Sequence, residues 1–245
     1  MAHPLIVIEG ADGTGKETQA KLLVERLQSH GAATLVSFPV YESPTGKVVK
    51  RMIDDKQHPA VELPPYVAAW PYTLDRVAFA PQLHAALARG PVVANRYVES
   101  NAGYQAAKLS TTAEQQEFLR TLEEVEYDVF GLPRPAAVVL LDVPPDVARR
   151  LMFERAEKAG RPLDEMDKRV EYQARVGAFY RTLAAARSTW KLVPCMAGET
   201  LQPPQVIAGK VWEVVQPLLG SDFLHETSKR AGVDLARKGA PSLTP

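Results

Sequence analysis

The sequence has little of what marks a secreted, membrane or nucleic-acid-binding protein. Its 245 residues contain one cysteine, Cys195, which excludes an internal disulfide and favours a reducing compartment. Lysine plus arginine equal aspartate plus glutamate at 29 each, so no overall charge attracts nucleic acid or an anionic membrane. No apolar run approaches the roughly 20 residues of a membrane span, and the first residues do not resemble a signal peptide. We therefore expect a cytoplasmic protein that acts on a small molecule, with no nucleic-acid or membrane partner.

What the sequence does contain is a regular alternation of short apolar runs with amphipathic or charged segments. Runs that are apolar throughout and separated by helices are typical of a parallel sheet covered on both faces. The pattern predicts an α/β fold with five parallel strands, and the first helix should end near His30, where Gly31 follows. The predicted strands are Leu5–Glu9, Thr34–Phe38, Pro91–Asn95, Ala136–Asp142 and Lys191–Cys195.

The first strand leads into a glycine-rich turn with the spacing of a phosphate-binding loop. Gly10 to Gly15-Lys16 matches G-x-x-x-x-G-K. Glycines let the backbone curl around a phosphate with its N–H groups inward, and the following helix offers its positive end. Lys16 would add a mobile charge on the β- and γ-phosphates. The predicted nucleotide contacts are Gly10, Ala11, Asp12, Gly13, Thr14, Gly15, Lys16, Glu17 and Thr18.

Two features near this loop bear on its chemistry. The position after the lysine usually holds a Ser or Thr hydroxyl on Mg²⁺, but here it is Glu17, so the metal must find other ligands. Ligands of a parallel sheet bind at the carboxyl ends of its strands, and Arg96 stands at such an end. Its planar fork suits a second phosphate, although a surface ion pair is the alternative.

At this point the chain resembles the thymidylate kinase family, the P-loop enzymes that phosphorylate dTMP. The resemblance covers about residues 5–218 and rests on five elements in the family's order. They are Glu9–Gln19 (E-G-x-D-G-x-G-K-x-T-Q), Phe38–Lys47 (F-P then G-K), Tyr72 with Arg76, Asn95–Tyr104 (D-R-Y-x-x-S-x-x-A-Y in the family) and Leu141–Ala148 (L-D-V-x-P-E-x-A in the family).

The resemblance implies a P-loop kinase with a three-layer fold, helices on both faces of the sheet and a mobile lid at about residues 153–168. It implies one domain over residues 1–219, a homodimer, and transfer of the γ-phosphate of ATP to dTMP with Mg²⁺, for dTTP synthesis. The remaining residues, 220–245, lie outside the resemblance as a tail of unknown role.

The resemblance also implies the residues on the ATP side. Lys16 and Asp12 would act on the transferred phosphate and its metal, and the predicted Mg²⁺ ligands are Asp12, Asp164 and Asp167. One branch of the family carries a basic residue in the loop and the other in the lid; Gly13 predicts the second type, with Arg155 or Arg161 closing on ATP. A solvated charged face is the alternative for the lid.

On the acceptor side, the resemblance implies that Arg76 and Arg96 clamp the phosphate of dTMP and that Tyr72 stacks on the pyrimidine. Tyr104 and Asn101 would contact sugar and base, with Tyr104 blocking a 2′-hydroxyl; core packing is the alternative for both tyrosines. The predicted acceptor residues are Phe38, Pro39, Tyr41, Tyr72, Arg76, Arg96, Ser100, Asn101, Tyr104 and Gln105.

The chain departs from the family's pattern at two positions. Asn95 replaces an aspartate that contacts Mg²⁺, and Met166 replaces a lid tyrosine. Three alternatives therefore stay open: a deoxynucleoside kinase using Glu42 as a base, a kinase of another nucleotide, or a degenerate nucleotide-binding protein without activity. A GTPase is not indicated, because no N/T-K-x-D motif follows a strand.

Overall fold

The computed structural model describes residues 3–55, 57, 59–159, 170–221 and 223–224. Its main sheet has five strands, all parallel, in the order β2-β3-β1-β4-β5. The sheet predicted from the apolar runs is confirmed. Its strands are β1 (Leu5–Glu9), β2 (Thr34–Ser37), β3 (Val92–Asn95), β4 (Ala137–Asp142) and β5 (Trp190–Pro194), and an antiparallel pair follows, β6 (Met196–Ala197) with β7 (Thr200–Leu201).

Helices connect these strands and cover both faces of the sheet. A π-helical turn, Glu124–Val129, directly continues the fifth helix. The helices of the described residues are α1 (Lys16–Gln28), α2 (Pro44–Asp54), α3 (Pro65–Leu87), α4 (Val98–Ala106), α5 (Thr112–Glu123), α6 (Pro145–Ala159), α7 (Val170–Ala186) and α8 (Pro204–Val215).

Alternate side chains of the central strand face the two helical layers. Leu5 and Val7 of β1 are buried in one core with side chains of α3, α4, α5 and α7. Ile6 and Ile8 are buried in the other core, with side chains of α1, α6 and α8. Because the side chains of a strand alternate in direction, a strand that is apolar throughout must be covered on both faces. The three-layer arrangement follows.

Several predicted boundaries differ from the structure by one or two residues, among them the ends of α1 and β5. Helix α1 ends at Gln28 rather than near His30, because the N–H groups of His30 and Gly31 both turn back to the carbonyl of Leu27. Strand β5 ends at Pro194, and Cys195 lies just beyond it, buried, with its N–H donating to Asp142. The β6–β7 pair that follows was not predicted, since two-residue strands are too short to show a pattern.

The predicted lid and tail are only partly described. Helix α6 continues to Ala159, within the predicted lid, while Arg161, Asp164 and Asp167 lie outside the described residues. The same holds for residues 225–245 of the predicted tail. Among the described residues, no helix has both the length and the hydropathy needed to cross a membrane.

Candidate active site

The loop between β1 and α1 has the backbone of a phosphate cradle. Gly10, Gly13 and Gly15 have φ angles of 152°, 81° and 84°, a region that disfavours side chains. At Gly13 an added Cβ would lie 2.2 Å from the carbonyl oxygen of Ala148 in α6. The loop therefore packs directly on α6 and leaves no room for a basic side chain at this position. That fits the prediction that the lid, rather than the loop, supplies the extra positive charge.

Lys16 begins α1 and turns its side chain back over the loop. Its Nζ donates to the carbonyl oxygen of Ala11 at 2.7 Å and lies 3.9 Å from Asp12 Oδ1. Burial, followed by the positive charge of Arg96, lowers the pKa of Lys16 to about 7. The negative charge around the ammonium therefore does not compensate for its loss of contact with water. Phosphate groups would supply the missing negative charge.

Asp12 connects the loop to two other parts of the chain. Its carboxylate accepts from Arg96 Nη2 and, at 2.8 Å, from Gln173 Nε2 of α7. Desolvation raises the pKa of Asp12, but the charges of Arg96 and Lys16 outweigh it and bring that pKa down to about 2. Asp12 is therefore an anion at neutral pH. Gln173 was missed by the sequence analysis, since no motif includes it.

Arg96 follows β3 and reaches the loop through an unusual backbone conformation. Its φ of 67° lies in the left-handed region, and its N–H donates to the carbonyl of Ile8 in the neighbouring strand. The guanidinium lies 5.3 Å from the ring centre of Tyr104, which packs edge-on against Tyr172 and Tyr180. An aromatic wall therefore supports the arginine from one side while Asp12 binds it from another.

A second arginine is buried beneath the acceptor side. Arg76 of α3 is 1% exposed, and its Nε and Nη2 donate to the two carboxylate oxygens of Glu126 at 2.7 and 2.5 Å. Thr73 and Asn101 donate to the same carboxylate, at 2.8 and 3.3 Å. We call Thr73, Arg76, Asn101 and Glu126 the buried cluster. Two of its members, Arg76 and Asn101, are among the residues predicted from the sequence.

Asp75, next to Arg76 on α3, fixes the loop that leaves β2. Its carboxylate accepts from the N–H of Val40 at 2.7 Å and from the hydroxyls of Ser43 and Thr45 at 3.0 and 2.9 Å. Phe38, predicted to bind the acceptor, is buried against Phe79 and Tyr97. In the same loop Pro39 is half-buried, whereas Tyr41 is 45% exposed.

The other predicted acceptor residues lie on α3 and α4. Ser100 donates to Glu9 Oε1 at 2.6 Å, while Glu9 also accepts from Tyr180 and from the backbone of Tyr97. Gln105 is buried, and Tyr72 is half-buried within electrostatic reach of Tyr172. These residues line the same side of the sheet as the buried cluster, and their contacts with substrate stay predictions.

Of the remaining predicted residues, Thr14 is buried, whereas Glu17, Thr18 and Arg155 are exposed. Glu17 and Thr18 lie on the exposed face of α1, where Glu17 accepts from Lys21 at 2.7 Å. Thr14 is buried and donates to the carbonyl of Ala11. Arg155 on α6 is exposed, yet its charge still depresses the pKa of Lys16, after burial and Arg96. The structure therefore brings one of the two predicted lid arginines within electrostatic reach of the loop.

Comparison with known proteins places this site in a family. The family model described as thymidylate kinase matches residues 8–197, which include the loop, both arginines and the buried cluster. The chain belongs to the thymidylate kinase family. The resemblance drawn from the five sequence elements is thereby confirmed.

Individual thymidylate kinases agree with this assignment. The chain is 33% identical over 213 residues to thymidylate kinase of Mycobacterium tuberculosis (strain ATCC 25618 / H37Rv), covering 82% of this chain and 99% of that protein. It is 30% identical over 214 residues to the Deinococcus radiodurans enzyme, covering 86% and 95%. A solved structure of thymidylate kinase from Candida albicans, 21% identical, matches with a TM-score of 0.65 over 88% of this chain and 92% of that one. This last likeness supports the three-layer fold.

Proposed function

We propose that this chain transfers the γ-phosphate of ATP to dTMP, giving dTDP and ADP for dTTP synthesis. The observation that carries the proposal is the contact between Arg96 and Asp12. It brings an arginine from the end of β3 against the loop that would hold the ATP phosphates. Two phosphate-binding groups are thereby adjacent, as transfer between two phosphates requires.

On the donor side, the loop backbone and Lys16 would hold ATP. The N–H groups at the start of α1 would bind the phosphates, and Lys16, which donates to the carbonyl of Ala11 in the structure, would leave it to follow the transferred group. Arg155 is the described candidate for charge neutralisation from the lid, and Arg161 is the second candidate from sequence. Phosphoryl transfer needs this positioning and neutralisation far more than covalent help from the protein.

For magnesium we propose two oxygen donors, since the described residues contain no cluster of three or more His, Cys, Asp or Glu side chains that could hold a metal ion. Asp12 stays ionised, and the Oδ1 atom of Asn95 is buried without a hydrogen-bond partner among the described residues. A carboxylate and an amide oxygen are oxygen donors of the kind that Mg²⁺ accepts, directly or through water. Bound there, magnesium would neutralise charge on the phosphates. Asp164 and Asp167 remain the further ligands proposed from sequence.

On the acceptor side, Arg96 would bind the dTMP phosphate with Arg76 beneath it. Tyr72 would stack on the pyrimidine, and Asn101 with Tyr104 would contact base and sugar. Tyr104 is packed against two other tyrosines, so its ring has little freedom to make room for a 2′-hydroxyl. The protein should therefore prefer deoxyribonucleotides, and Tyr104→Ala should relax sugar selection more than base selection.

An ADP-release assay over a panel of acceptors tests the proposal. We expect dTMP to be phosphorylated faster than UMP, dGMP and thymidine. Faster reaction with thymidine would instead favour a deoxynucleoside kinase, and no turnover with any acceptor would indicate a nucleotide-binding protein without activity. Glu42, the base which that nucleoside kinase would need, is exposed in the structure.

We also propose a cytoplasmic homodimer. Val48 on α2 and Val67 and Leu74 on α3 are 54%, 53% and 53% exposed, and the two helices pack side by side. Apolar side chains on adjoining helices favour burial against a second copy. Sedimentation should show a dimer for the wild type and a smaller species for Leu74→Glu, whereas a monomeric wild type would exclude the dimer.

A further inference from the structure

Glu126 is a fully buried carboxylate that comes from an unusual piece of backbone. It lies in the π-helical turn after α5 and has 0% exposure. Short π-helical turns are rare and often occur at functional sites. Here the turn brings a carboxylate against α3 and α4, the two helices that carry the predicted acceptor residues. No motif of the sequence analysis includes this residue.

The carboxylate of Glu126 fixes the guanidinium of Arg76. Both oxygens accept from Arg76, at 2.7 and 2.5 Å, in a two-pronged ion pair. Arg76 Nη1 also donates to the carbonyl of Tyr97, at 3.2 Å. An arginine held through three of its five N–H groups has a single orientation, and its other donors are directed away from Glu126.

The same carboxylate fixes the amide of Asn101. A carboxylate only accepts hydrogen bonds, so the group of Asn101 that faces it is the NH₂. That Nδ2 also donates to the carbonyl of Ala69 at 3.1 Å. Its oxygen must then lie on the side away from the cluster. One residue thereby sets the orientation of a donor group and of an acceptor group on two different helices.

We propose that Glu126 is a positioning residue for the acceptor nucleotide, an inference that rests on the proposed function of this site. It holds Arg76 and Asn101 in the arrangement that dTMP meets, so neither side chain has to be ordered when the substrate binds. Ordering a long side chain on binding weakens affinity, and a residue that orders it beforehand restores that affinity. Glu126 does this without contacting the nucleotide.

The alternative is that Glu126 serves stability alone, as a partner that neutralises a buried arginine. The two roles differ in what they change. Loss of a purely structural carboxylate would lower the fraction of folded protein and leave the kinetic constants of the folded molecules unchanged. Loss of a positioning carboxylate would raise the KM for dTMP and leave the KM for ATP unchanged, since the phosphate loop has other partners.

The test compares Glu126→Gln with Glu123→Gln. Glu123 lies one turn earlier in α5 and pairs with Arg187, away from the acceptor residues, so it controls for loss of an ion pair on this helix. We expect Glu126→Gln to raise the KM for dTMP by about tenfold or more, with the KM for ATP within about twofold of wild type. Glu123→Gln should change neither. An unchanged KM for dTMP in folded Glu126→Gln would overturn the proposal.

A milder variant covers the case in which Glu126→Gln does not fold. Thr73→Val removes one donor to Glu126 and leaves the ion pair in place. We expect the KM for dTMP to rise roughly threefold and the KM for ATP to stay constant. If Thr73→Val has the wild-type KM for both substrates, the proposal is overturned. The wild-type acceptor panel is measured first. Failure of the proposed function appears there, as a different preferred acceptor or none, and is separate from failure of the role of Glu126.

Discussion

The two arginines of the site have contrasting surroundings. The side chain of Arg96 is 24% exposed and that of its partner Asp12 is 15% exposed, whereas those of Arg76 and Glu126 are 2% and 0% exposed. On the donor side the charges share partners, since Lys16 and Arg96 both approach Asp12. In the buried cluster Arg76 and Glu126 form an ion pair with each other, and the neutral donors Thr73 and Asn101 also donate to the carboxylate.

The contrast indicates that the two halves of the site are prepared in different ways. On the proposed donor side Lys16 binds a backbone carbonyl, a partner that it would have to exchange for phosphate, so we expect ATP binding to involve rearrangement. On the acceptor side the donors are already oriented by a buried carboxylate. Preorganised groups cost no reorganisation when the reaction takes place, which makes the buried cluster the fixed half of the site.

The largest difference should be seen in stability. Arg76→Met leaves Glu126 buried without its cation, and we expect the free energy of unfolding to fall by about 3–5 kcal/mol. Arg96→Met should cost about 1 kcal/mol or less, because Asp12 is partly exposed and keeps Gln173 and Lys16. Urea unfolding measures both values.

A double variant checks the reason for that difference. Arg76→Met with Glu126→Met removes both charges, so most of the lost stability should return while activity on dTMP does not. If Arg76→Met and Arg96→Met lose equal free energies of unfolding, the two arginines do not differ in the way proposed, and the contrast between the buried cluster and the donor side is contradicted.

Replacing Lys16 should affect catalysis rather than folding. Lys16→Ala should lower kcat on the order of 10²–10³-fold, because a charge that follows the transferred phosphate is lost. The free energy of unfolding should not fall, since burial disfavours this ammonium. Lys21→Ala, on the exposed face of the same helix, is the control and should keep wild-type kcat. A Lys16→Ala variant within threefold of wild type would remove Lys16 from the mechanism.

A pH experiment tests a second buried carboxylate. Glu99 of α4 is buried and accepts from Tyr127 at 2.7 Å; burial raises its pKa to about 7, from 4.5 in the unfolded chain. Between these values the native state holds a proton that the unfolded chain has released. Stability from this group is therefore complete below about pH 4.5 and is lost as pH rises through 7.

Glu99→Gln keeps an acceptor for Tyr127 and removes the titration. Its unfolding free energy should equal that of the wild type near pH 4 and exceed it by roughly 3 kcal/mol at pH 8. Urea unfolding at pH 4, 6 and 8 gives the comparison. A difference that is constant with pH would show that Glu99 does not titrate in this range.

The smallest effect concerns the metal. Asn95→Asp adds a negative charge beside the donor site, so we expect the Mg²⁺ concentration for half-maximal rate to fall, about threefold. Magnesium and dTMP titrations at saturating ATP measure it. An unchanged Mg²⁺ midpoint together with a higher KM for dTMP would mean that the carboxylate only repels the acceptor phosphate.

The loop between β1 and α1 could be predicted from the sequence because its conformation depends on residues that are adjacent in the chain. A strand, a glycine-rich turn and a lysine follow one another along the chain, and the backbone of Gly10 to Lys16 forms the loop by itself. The five strands could be predicted for the same reason. Arg96 could be placed because a strand end in a parallel sheet fixes where the next residue lies.

The acceptor half could be predicted only through resemblance, and incompletely. Glu126 lies 50 residues from Arg76 and Gln173 lies 161 residues from Asp12, so neither pairing has a local signal. A charged residue within a helical stretch is usually solvated, and the π-helical turn that buries Glu126 has no pattern of its own. Only the packing of α3, α4 and α5 shows which carboxylate is buried.

Calorimetric titration of dTMP into the protein without ATP tests the fixed acceptor site most directly. If Glu126 holds the acceptor residues ready, dTMP should bind the wild-type protein alone, with a Kd close to its KM. Glu126→Gln should bind about tenfold or more weakly, and Glu123→Gln should match the wild type. If dTMP binds only after a non-hydrolysable ATP analogue is added, the account is contradicted, because the acceptor site would then form only when the donor site is occupied.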